Sequence, residues 1–146
     1  MTETVYLIRH GVAEGMNPAG DHARRLTDEG RARFLAHVTA LRPELSVRRI
    51  LASPLVRAQQ TAGLLAHVVG ATVETEETLA CGHLDGGGIL KLAQQLGPNV
   101  ALVGHNPEMA DAVTRAAGRA TGFNPGTVAA LTFSGGRAVL LWARSP

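Results

Sequence analysis

The sequence has few of the features that mark secreted, membrane-spanning or nucleic-acid-binding proteins. Its single cysteine, Cys81, has no partner for an internal disulfide, which favours a reducing compartment and a cytoplasmic location. No stretch approaches the roughly 20 consecutive apolar residues that a membrane-spanning helix needs. The formal net charge of +2 is too small to indicate nucleic acid or an anionic membrane as a partner.

Aromatic residues are also scarce, at 3%, but the chain has enough other hydrophobic residues for a core. Hydrophobic residues make up 45% of the chain and charged residues 18%, which is typical of globular proteins. Because 146 residues suffice for one hydrophobic core, we expect a single domain over residues 1–146. An apolar run at residues 5–8 begins so early that we expect no signal peptide before it.

Short apolar runs alternate with segments that have helical periodicity. Strands are predicted over residues 5–8, 49–52, 71–75 and 100–103. Helices are predicted over residues 28–41, 54–69, 89–96 and 107–117. A terminal β-hairpin is predicted over residues 128–133 and 137–142. The pattern therefore predicts a three-layer α/β/α sandwich around a mainly parallel sheet, with the antiparallel C-terminal hairpin at its edge.

Two short segments precede predicted helices: a serine followed by proline, and a run of three glycines. Ser53 and Pro54 directly follow the second strand, and we interpret them as the N-cap and the first residue of the next helix. A run of three glycines at 86–88 ends a loop over residues 76–88. Because this run does not directly follow a strand, we interpret it as flexible loop and not as a dinucleotide site.

Cationic and imidazole side chains follow three of the predicted strands. Arg9 and His10 come directly after the first strand. Arg57 lies one turn into the helix after the second strand, and His105 follows the fourth. Because the carboxyl ends of parallel strands meet at one edge of a sheet, we expect these side chains to converge. Two arginines, two imidazoles and two helix N-termini form a site for a dianion such as phosphate.

These residues lie in three motifs that resemble, in the same order, those of the histidine phosphatase superfamily. The motifs are Arg9-His10-Gly11, Ser53-Pro54-Leu55-x-Arg57-Ala58-x-x-Thr61-Ala62 and Val103-Gly104-His105-Asn106-Pro107. The family has the phosphoglycerate mutase-like fold, which agrees with the predicted sandwich. The short chain, with Arg24-Arg25-Leu26-Thr27 and Gly30, resembles the SixA-like phosphohistidine phosphatase branch.

The resemblance implies a role for each matching residue. His10 matches the nucleophile, which becomes phosphorylated. Arg9, Arg57 and His105 match the groups that hold the phosphoryl oxygens. A histidine with an ordinary pKa near ~6.5 is mostly neutral at pH 7 and can attack without a separate base. The arginines offer forked donors that offset the charge of the dianion and of the transition state.

Three further residues are candidates for binding the phosphate: Gly11, Arg24 and Asn106. The alternative interpretation of Arg24 is an exposed arginine that does not bind phosphate. The proposed steps need no metal, and His22, His37 and His67 lack the spacing of metal ligands. We therefore expect neither a metal nor a cofactor.

One position departs from the family pattern. Many members carry a glutamate general acid in a Leu-x-Glu setting in the second loop, but here Leu79-Ala80 is followed by Cys81. Glu77 and Asp85 are the nearest candidate acids, although neither is in register. The SixA-like branch also lacks the usual acid. An absent acid disfavours alkyl phosphates, whose leaving group needs a proton, more than it disfavours phosphohistidine or aryl phosphates.

The residues and the resemblance together indicate a metal-independent phosphatase with a phosphohistidine enzyme intermediate. We expect its substrate to be a phosphorylated protein that carries phosphohistidine, and the enzyme to be a monomer or a weak dimer. One alternative is a phosphatase for small phosphate esters, such as sugar or nucleotide phosphates. Another is a phosphate-binding or phosphoprotein-binding module with little turnover. Neither nucleic acid nor a membrane is an expected partner.

Overall fold

A six-stranded sheet forms the centre of the computed structural model, which describes residues 3–146. The strands are β1 (Val5–Arg9), β2 (Arg49–Ala52), β3 (Thr72–Thr75), β4 (Val100–Gly104), β5 (Val128–Ser134) and β6 (Arg137–Arg144). Their order across the sheet is β3-β2-β4-β1-β5-β6. The first four strands in that order are parallel, and β5 and β6 are antiparallel to their neighbours. This confirms the predicted mixed sheet with an antiparallel C-terminal edge.

The helices cover both faces of the sheet. They are α1 (Asp28–Leu41), α2 (Val56–Val69), α3 (Gly86–Leu96) and α4 (Glu108–Ala117). Alternate residues of β1 point to opposite faces, so that Tyr6 and Ile8 pack with α1 and α2 while Val5 and Leu7 pack with α3 and α4. Two hydrophobic clusters result, one on each face, and the three-layer α/β/α sandwich is confirmed.

The register of the parallel strands aligns their carboxyl ends. Arg9 at the end of β1 lies opposite Gly104 of β4, and Ala52 at the end of β2 lies opposite Val103. The next residue of each strand therefore emerges at the same edge of the sheet. These residues are His10, Ser53 and His105, from three different segments of the chain.

The predicted start of α2 is wrong. The helix begins at Val56 and its N-cap is Leu55, so Ser53 does not cap it. The backbone N–H of Ser53 donates to the Val103 carbonyl at 3.0 Å, which keeps this residue in register with β4. Continued pairing with the neighbouring strand overrides the local signal of a serine followed by proline.

The interpretation of the glycine run as flexible loop is also wrong. These glycines form the first turn of α3, and the Asp85 side chain caps the helix by accepting the Gly88 N–H at 2.8 Å. A Cβ on Gly86 would lie 2.6 Å from the backbone nitrogen of Ala112 in α4. Glycine is required there because the two helices approach each other closely, and that contact cannot be read from local composition.

None of the helices within residues 3–146 is long and apolar enough to cross a membrane.

Two glycines that differ in their surroundings give a stability test. Gly63 lies exposed in α2 with no atom within 4 Å of an added Cβ, so Gly63→Ala should raise the free energy of unfolding by about 0.5–1 kcal/mol. A Cβ on Gly30, in the first turn of α1, would overlap the Val12 carbonyl oxygen just after His10. Gly30→Ala should therefore lower the free energy of unfolding by about 1–3 kcal/mol. Urea denaturation of both variants measures the difference, and changes of the same sign would contradict this packing.

Candidate active site

The His10 ring is held by a hydrogen bond to the backbone. Its Nδ1 lies 2.7 Å from the carbonyl oxygen of Gly11, and the residue is 9% exposed. Because a carbonyl oxygen can only accept, Nδ1 carries the hydrogen and donates it. In the neutral ring, Nε2 then keeps its lone pair. The geometry therefore offers Nε2 as a nucleophile.

Burial keeps this ring neutral. Loss of solvation lowers the pKa of His10 from 6.5 to about 4, although the hydrogen bond to Gly11 acts in the opposite direction. The positive charges of Arg57, Arg9 and Arg24 lower the pKa further. At neutral pH the imidazole thus has no proton to lose before it can attack.

The Gly11 peptide is anchored to α2. Its N–H donates to the Thr61 hydroxyl at 3.1 Å, and that hydroxyl donates to the Arg57 carbonyl at 2.8 Å. Gly11 thus holds the His10 ring with its carbonyl and uses its N–H within the protein. The expectation that Gly11 binds phosphate remains a prediction.

Arg57 reaches the site from the first turn of α2 and is 5% exposed. Its two terminal nitrogens donate to Asp21, one to the backbone carbonyl at 2.9 Å and the other to the carboxylate at 3.2 Å. The other carboxylate oxygen of Asp21 accepts from Arg24 at 3.0 Å. Hydrogen bonding by Arg24, followed by the charge of Arg57, lowers the pKa of Asp21, which is therefore ionised at neutral pH.

Asp21 is a site residue that the sequence reasoning missed. It lies in the loop after His10, in a short 3-10 helix over Asp21–Ala23. An acidic residue three positions before Arg24 was the available signal. The carboxylate of Asp21 connects both arginines and fixes the loop over the site.

A carbonyl from the segment before β5 holds two more of the predicted residues. The Phe123 oxygen accepts from Arg9 at 3.1 Å and from the Asn106 amide at 2.9 Å. The Asn106 oxygen accepts the Ala110 N–H at 3.2 Å, at the start of α4. Both ends of the Asn106 side chain thus have partners in the protein, and phosphate binding by Asn106 remains a prediction.

His105 lies beside His10, with ring centroids 5.1 Å apart, and is 3% exposed. Its Nε2 is 2.7 Å from the Ser53 hydroxyl oxygen. Burial lowers the pKa of His105 to about 3. His10, when it is protonated, and the charges of Arg57 and Arg9 act in the same direction, whereas the charge of Asp21 opposes them. His105 is therefore neutral at neutral pH, and the positive charge of the site comes from its arginines.

Three buried side-chain nitrogens within residues 3–146 have no hydrogen-bond partner: Arg9 Nε, Arg57 Nε and His105 Nδ1. A buried polar group without a partner costs about 1–3 kcal/mol. All three belong to side chains whose charges act on His10 or whose ring contacts it. An anion with several oxygen acceptors fits this cluster, which we call the phosphoryl pocket.

The side chains of the two candidate acids make no hydrogen bond or ion pair with Arg9, His10, Arg57 or His105. Asp85 caps α3 and lies 4.0 Å from Arg115. Glu77 is exposed, and its side chain makes no hydrogen bond or ion pair with the described residues. Cys81 is exposed, and partial burial, followed by the charge of Glu108, raises the pKa of its thiol. Between Glu3 and Pro146, no group of three or more His, Cys, Asp or Glu side chains is suited to a metal ion.

Known proteins resemble this chain in its motifs and its fold. A family model described as histidine phosphatase superfamily (branch 1) matches residues 5–86, which is more than half of the chain. No curated protein sequence matches it.

Solved structures resemble the chain over nearly its whole length. The protein histidine phosphatase SixA complexed with tungstate is 24% identical with a TM-score of 0.83, and 98% of this chain and 97% of that chain are covered. A SixA protein from Nakamurella multipartitia is 25% identical, with a TM-score of 0.77 and coverage of 100% and 97%. A phosphoserine phosphatase from Entamoeba histolytica, in complex with 3-phosphoglyceric acid, is 16% identical, with a TM-score of 0.73 and coverage of 98% and 97%.

The burial of His10 predicts an unusual titration. Because its pKa is lowered to about 4, the ring should stay neutral through the weakly acidic range in which an exposed histidine becomes charged. Ring-proton NMR as a function of pH measures the midpoint, and the spectrum of His10→Ala assigns the signal. A midpoint near 6.5 would contradict the described environment.

The same burial predicts how stability depends on pH. Between pH 6.5 and about 4, His10 binds a proton in the unfolded chain but not in the native protein. Lowering the pH through this window therefore favours unfolding. Urea denaturation at several pH values should give a smaller fall in the free energy of unfolding for His10→Ala than for wild type.

Proposed function

Because this chain belongs to the histidine phosphatase superfamily, we propose that it is a metal-independent phosphatase that transfers a phosphoryl group first to His10 and then to water. The observation that carries the proposal is the held His10 ring beside unpartnered donors. Nδ1 donates to Gly11 at 2.7 Å, which leaves Nε2 unprotonated. The charges of Arg57 and Arg9, whose Nε atoms are buried without a partner, act on the same ring. A nucleophile and a binding site for its dianionic target thus occur together.

In the first step, the lone pair of His10 Nε2 attacks phosphorus. A nitrogen–phosphorus bond forms, and the bond between phosphorus and the leaving group breaks with its electron pair going to the leaving group. The phosphorylated ring carries a positive charge, which the hydrogen bond from Nδ1 to the Gly11 carbonyl stabilises. Arg9 and Arg57 offset the negative charge on the phosphoryl oxygens.

In the second step, water attacks the phosphorylated enzyme. The new oxygen–phosphorus bond forms as the nitrogen–phosphorus bond breaks, and the electron pair returns to His10 Nε2. Phosphate carries away the proton that the water loses. The imidazole is again neutral, as its environment requires.

The surroundings of His10 also favour a substrate class. Neither the Glu77 nor the Asp85 side chain is hydrogen-bonded to the residues of the phosphoryl pocket, and Asp21 is held as a carboxylate by Arg24 and Arg57. A site built this way favours leaving groups that need no proton from the enzyme. Phenolates from aryl phosphates are such groups, and so is imidazole from a phosphohistidine whose other ring nitrogen is already protonated. We therefore favour a SixA-like protein phosphohistidine phosphatase.

We propose that the enzyme acts on a phosphoprotein in the cytoplasm as a monomer or weak dimer. Its single domain is proposed to span residues 1–146, of which the first two lie outside the described residues. Small phosphate esters are the alternative substrates. The fold shared with the phosphoserine phosphatase of Entamoeba histolytica is the observation that favours them. A module without turnover is the other alternative, but a purely binding site would not need a free, unprotonated imidazole nitrogen.

His10→Ala should abolish turnover of p-nitrophenyl phosphate, with a loss on the order of 10⁴–10⁶-fold, because the attacking atom is removed. Rapid denaturation during turnover should trap acid-labile phosphate on the wild-type chain and none on the variant. His67→Ala, at an exposed histidine in the last turn of α2, is the matched control and should retain activity. Phosphate trapped on Cys81 or on a serine would overturn the proposal.

If no general acid acts in the site, kcat/KM should fall steeply as the pKa of the leaving group rises. General acid catalysis contributes typically about 10²–10⁴-fold, so kcat/KM for phosphohistidine and aryl phosphates should exceed that for phosphoserine or sugar phosphates by a comparable factor. A series of phosphate esters graded by leaving-group pKa measures this dependence. Glu77→Gln and Asp85→Asn should leave the series unchanged, whereas a flat series for wild type would show that an acid is present.

A further inference from the structure

Ser53 is a buried side chain next to the phosphoryl pocket that the two proposed steps do not use. It directly follows β2 and is 0% exposed. Its hydroxyl oxygen lies 2.7 Å from His105 Nε2 and accepts the Leu55 N–H at 3.2 Å. Pairing of the Ser53 backbone with Val103 of β4 holds the hydroxyl in this position.

The hydrogen bond between Ser53 and His105 can run in either direction, and the two directions leave different groups without partners. If His105 Nε2 donates, the Ser53 hydroxyl hydrogen has no acceptor among the described residues, and the lone pair on His105 Nδ1 has no donor. If Ser53 donates to Nε2, its hydroxyl both donates and accepts. His105 Nδ1–H is then the one group left over.

The second direction has the lower cost, since each buried polar group without a partner costs about 1–3 kcal/mol. It also matches the proposed substrate. A hydrogen on Nδ1 can be donated to a phosphoryl oxygen, whereas a lone pair there would repel the dianion. Because His105 is neutral at neutral pH, the position of its single ring hydrogen decides between these two outcomes.

We propose that Ser53 is a positioning residue that donates its hydroxyl hydrogen to His105 Nε2 and thereby keeps the hydrogen of this ring on Nδ1, where it binds a phosphoryl oxygen. This inference rests on the proposed phosphatase function for its consequence, but not for the direction of the hydrogen bond. Serine in this motif thus acts through His105, and not as the cap of α2.

The direction of the hydrogen bond is measured on the full chain by nitrogen NMR of the histidine rings, with and without inorganic phosphate. In wild type we expect His105 to be protonated on Nδ1 and unprotonated on Nε2. His10, whose Nδ1 donates to Gly11, serves as an internal reference for the same pattern. A protonated Nε2 on His105 would overturn the proposal, whether or not the protein is a phosphatase.

A double-mutant cycle measures the consequence for turnover. Ser53→Ala should lower kcat for p-nitrophenyl phosphate by about 10–100-fold, which is the range for losing a group that orients a histidine ligand. In the His105→Ala background the same substitution should change kcat by less than about 2-fold, because nothing remains to be positioned. Ser46→Ala is the matched control: its exposed hydroxyl donates to the Asn99 side chain at 3.1 Å, outside the site, and activity should be kept.

The outcomes separate the two proposals. Equal losses from Ser53→Ala in both backgrounds, or a Ser53→Ala variant within about 2-fold of wild type, would overturn the positioning role while the phosphatase function stands. Absence of turnover in wild type would overturn the phosphatase function, and the ring nitrogens would still report the direction of the hydrogen bond. If Ser53→Ala fails to fold, the wild-type NMR measurement decides.

Discussion

The hydrogen bond from His10 Nδ1 to the Gly11 carbonyl is the interaction on which the site depends. It joins neighbouring residues, so the ring can be held at the end of β1 without help from a distant side chain. It also selects the tautomer that leaves Nε2 free. The Thr61 hydroxyl holds the N–H of the same residue, Gly11, and donates to the backbone carbonyl of Arg57. Gly11 thus connects the nucleophile to α2, the helix that carries Arg57.

The second constraint is the burial of like charges. Arg57 is almost completely buried, and burial lowers the pKa of Arg9, which means that the protein holds cations where solvent cannot stabilise them. Asp21 offsets part of this cost by accepting from Arg57 and Arg24. Arg9 Nε, Arg57 Nε and His105 Nδ1 remain without partners among the described residues. Under the proposed function, the phosphoryl group of the substrate provides acceptors for them. The unpaired nitrogens lower the stability of the free protein, and a bound phosphate would raise it again by accepting hydrogen bonds from them.

The sequence predicted the fold well because its signals are local and repeated. Short apolar runs mark the buried strands, and their alternation with helices indicates a parallel sheet. Because the carboxyl ends of parallel strands share one edge, the sequence predicted that Arg9, His10, Arg57 and His105 lie together. The features that escaped prediction are long-range. The backbone carbonyl of Phe123 accepts hydrogen bonds from Arg9 and Asn106. Because any residue has such a carbonyl, the identity of residue 123 gives no signal for this contact. Ser53 has a cap-like sequence, but its partner is 52 residues away.

Under the proposed function, the bond that is exchanged explains why neither Glu77 nor Asp85 has to act as an acid. Transfer from phosphohistidine to His10 breaks one nitrogen–phosphorus bond and forms another of the same kind, so the two ends of the transfer have similar energies. When the substrate phosphohistidine already carries a proton on its other ring nitrogen, it leaves as neutral imidazole, which resembles the imidazole that attacks. Neither ring then requires protonation by a carboxylic acid. What the enzyme must supply is alignment and compensation of the phosphoryl charge. Those are the two things that a held ring and buried, partly unpartnered arginines provide.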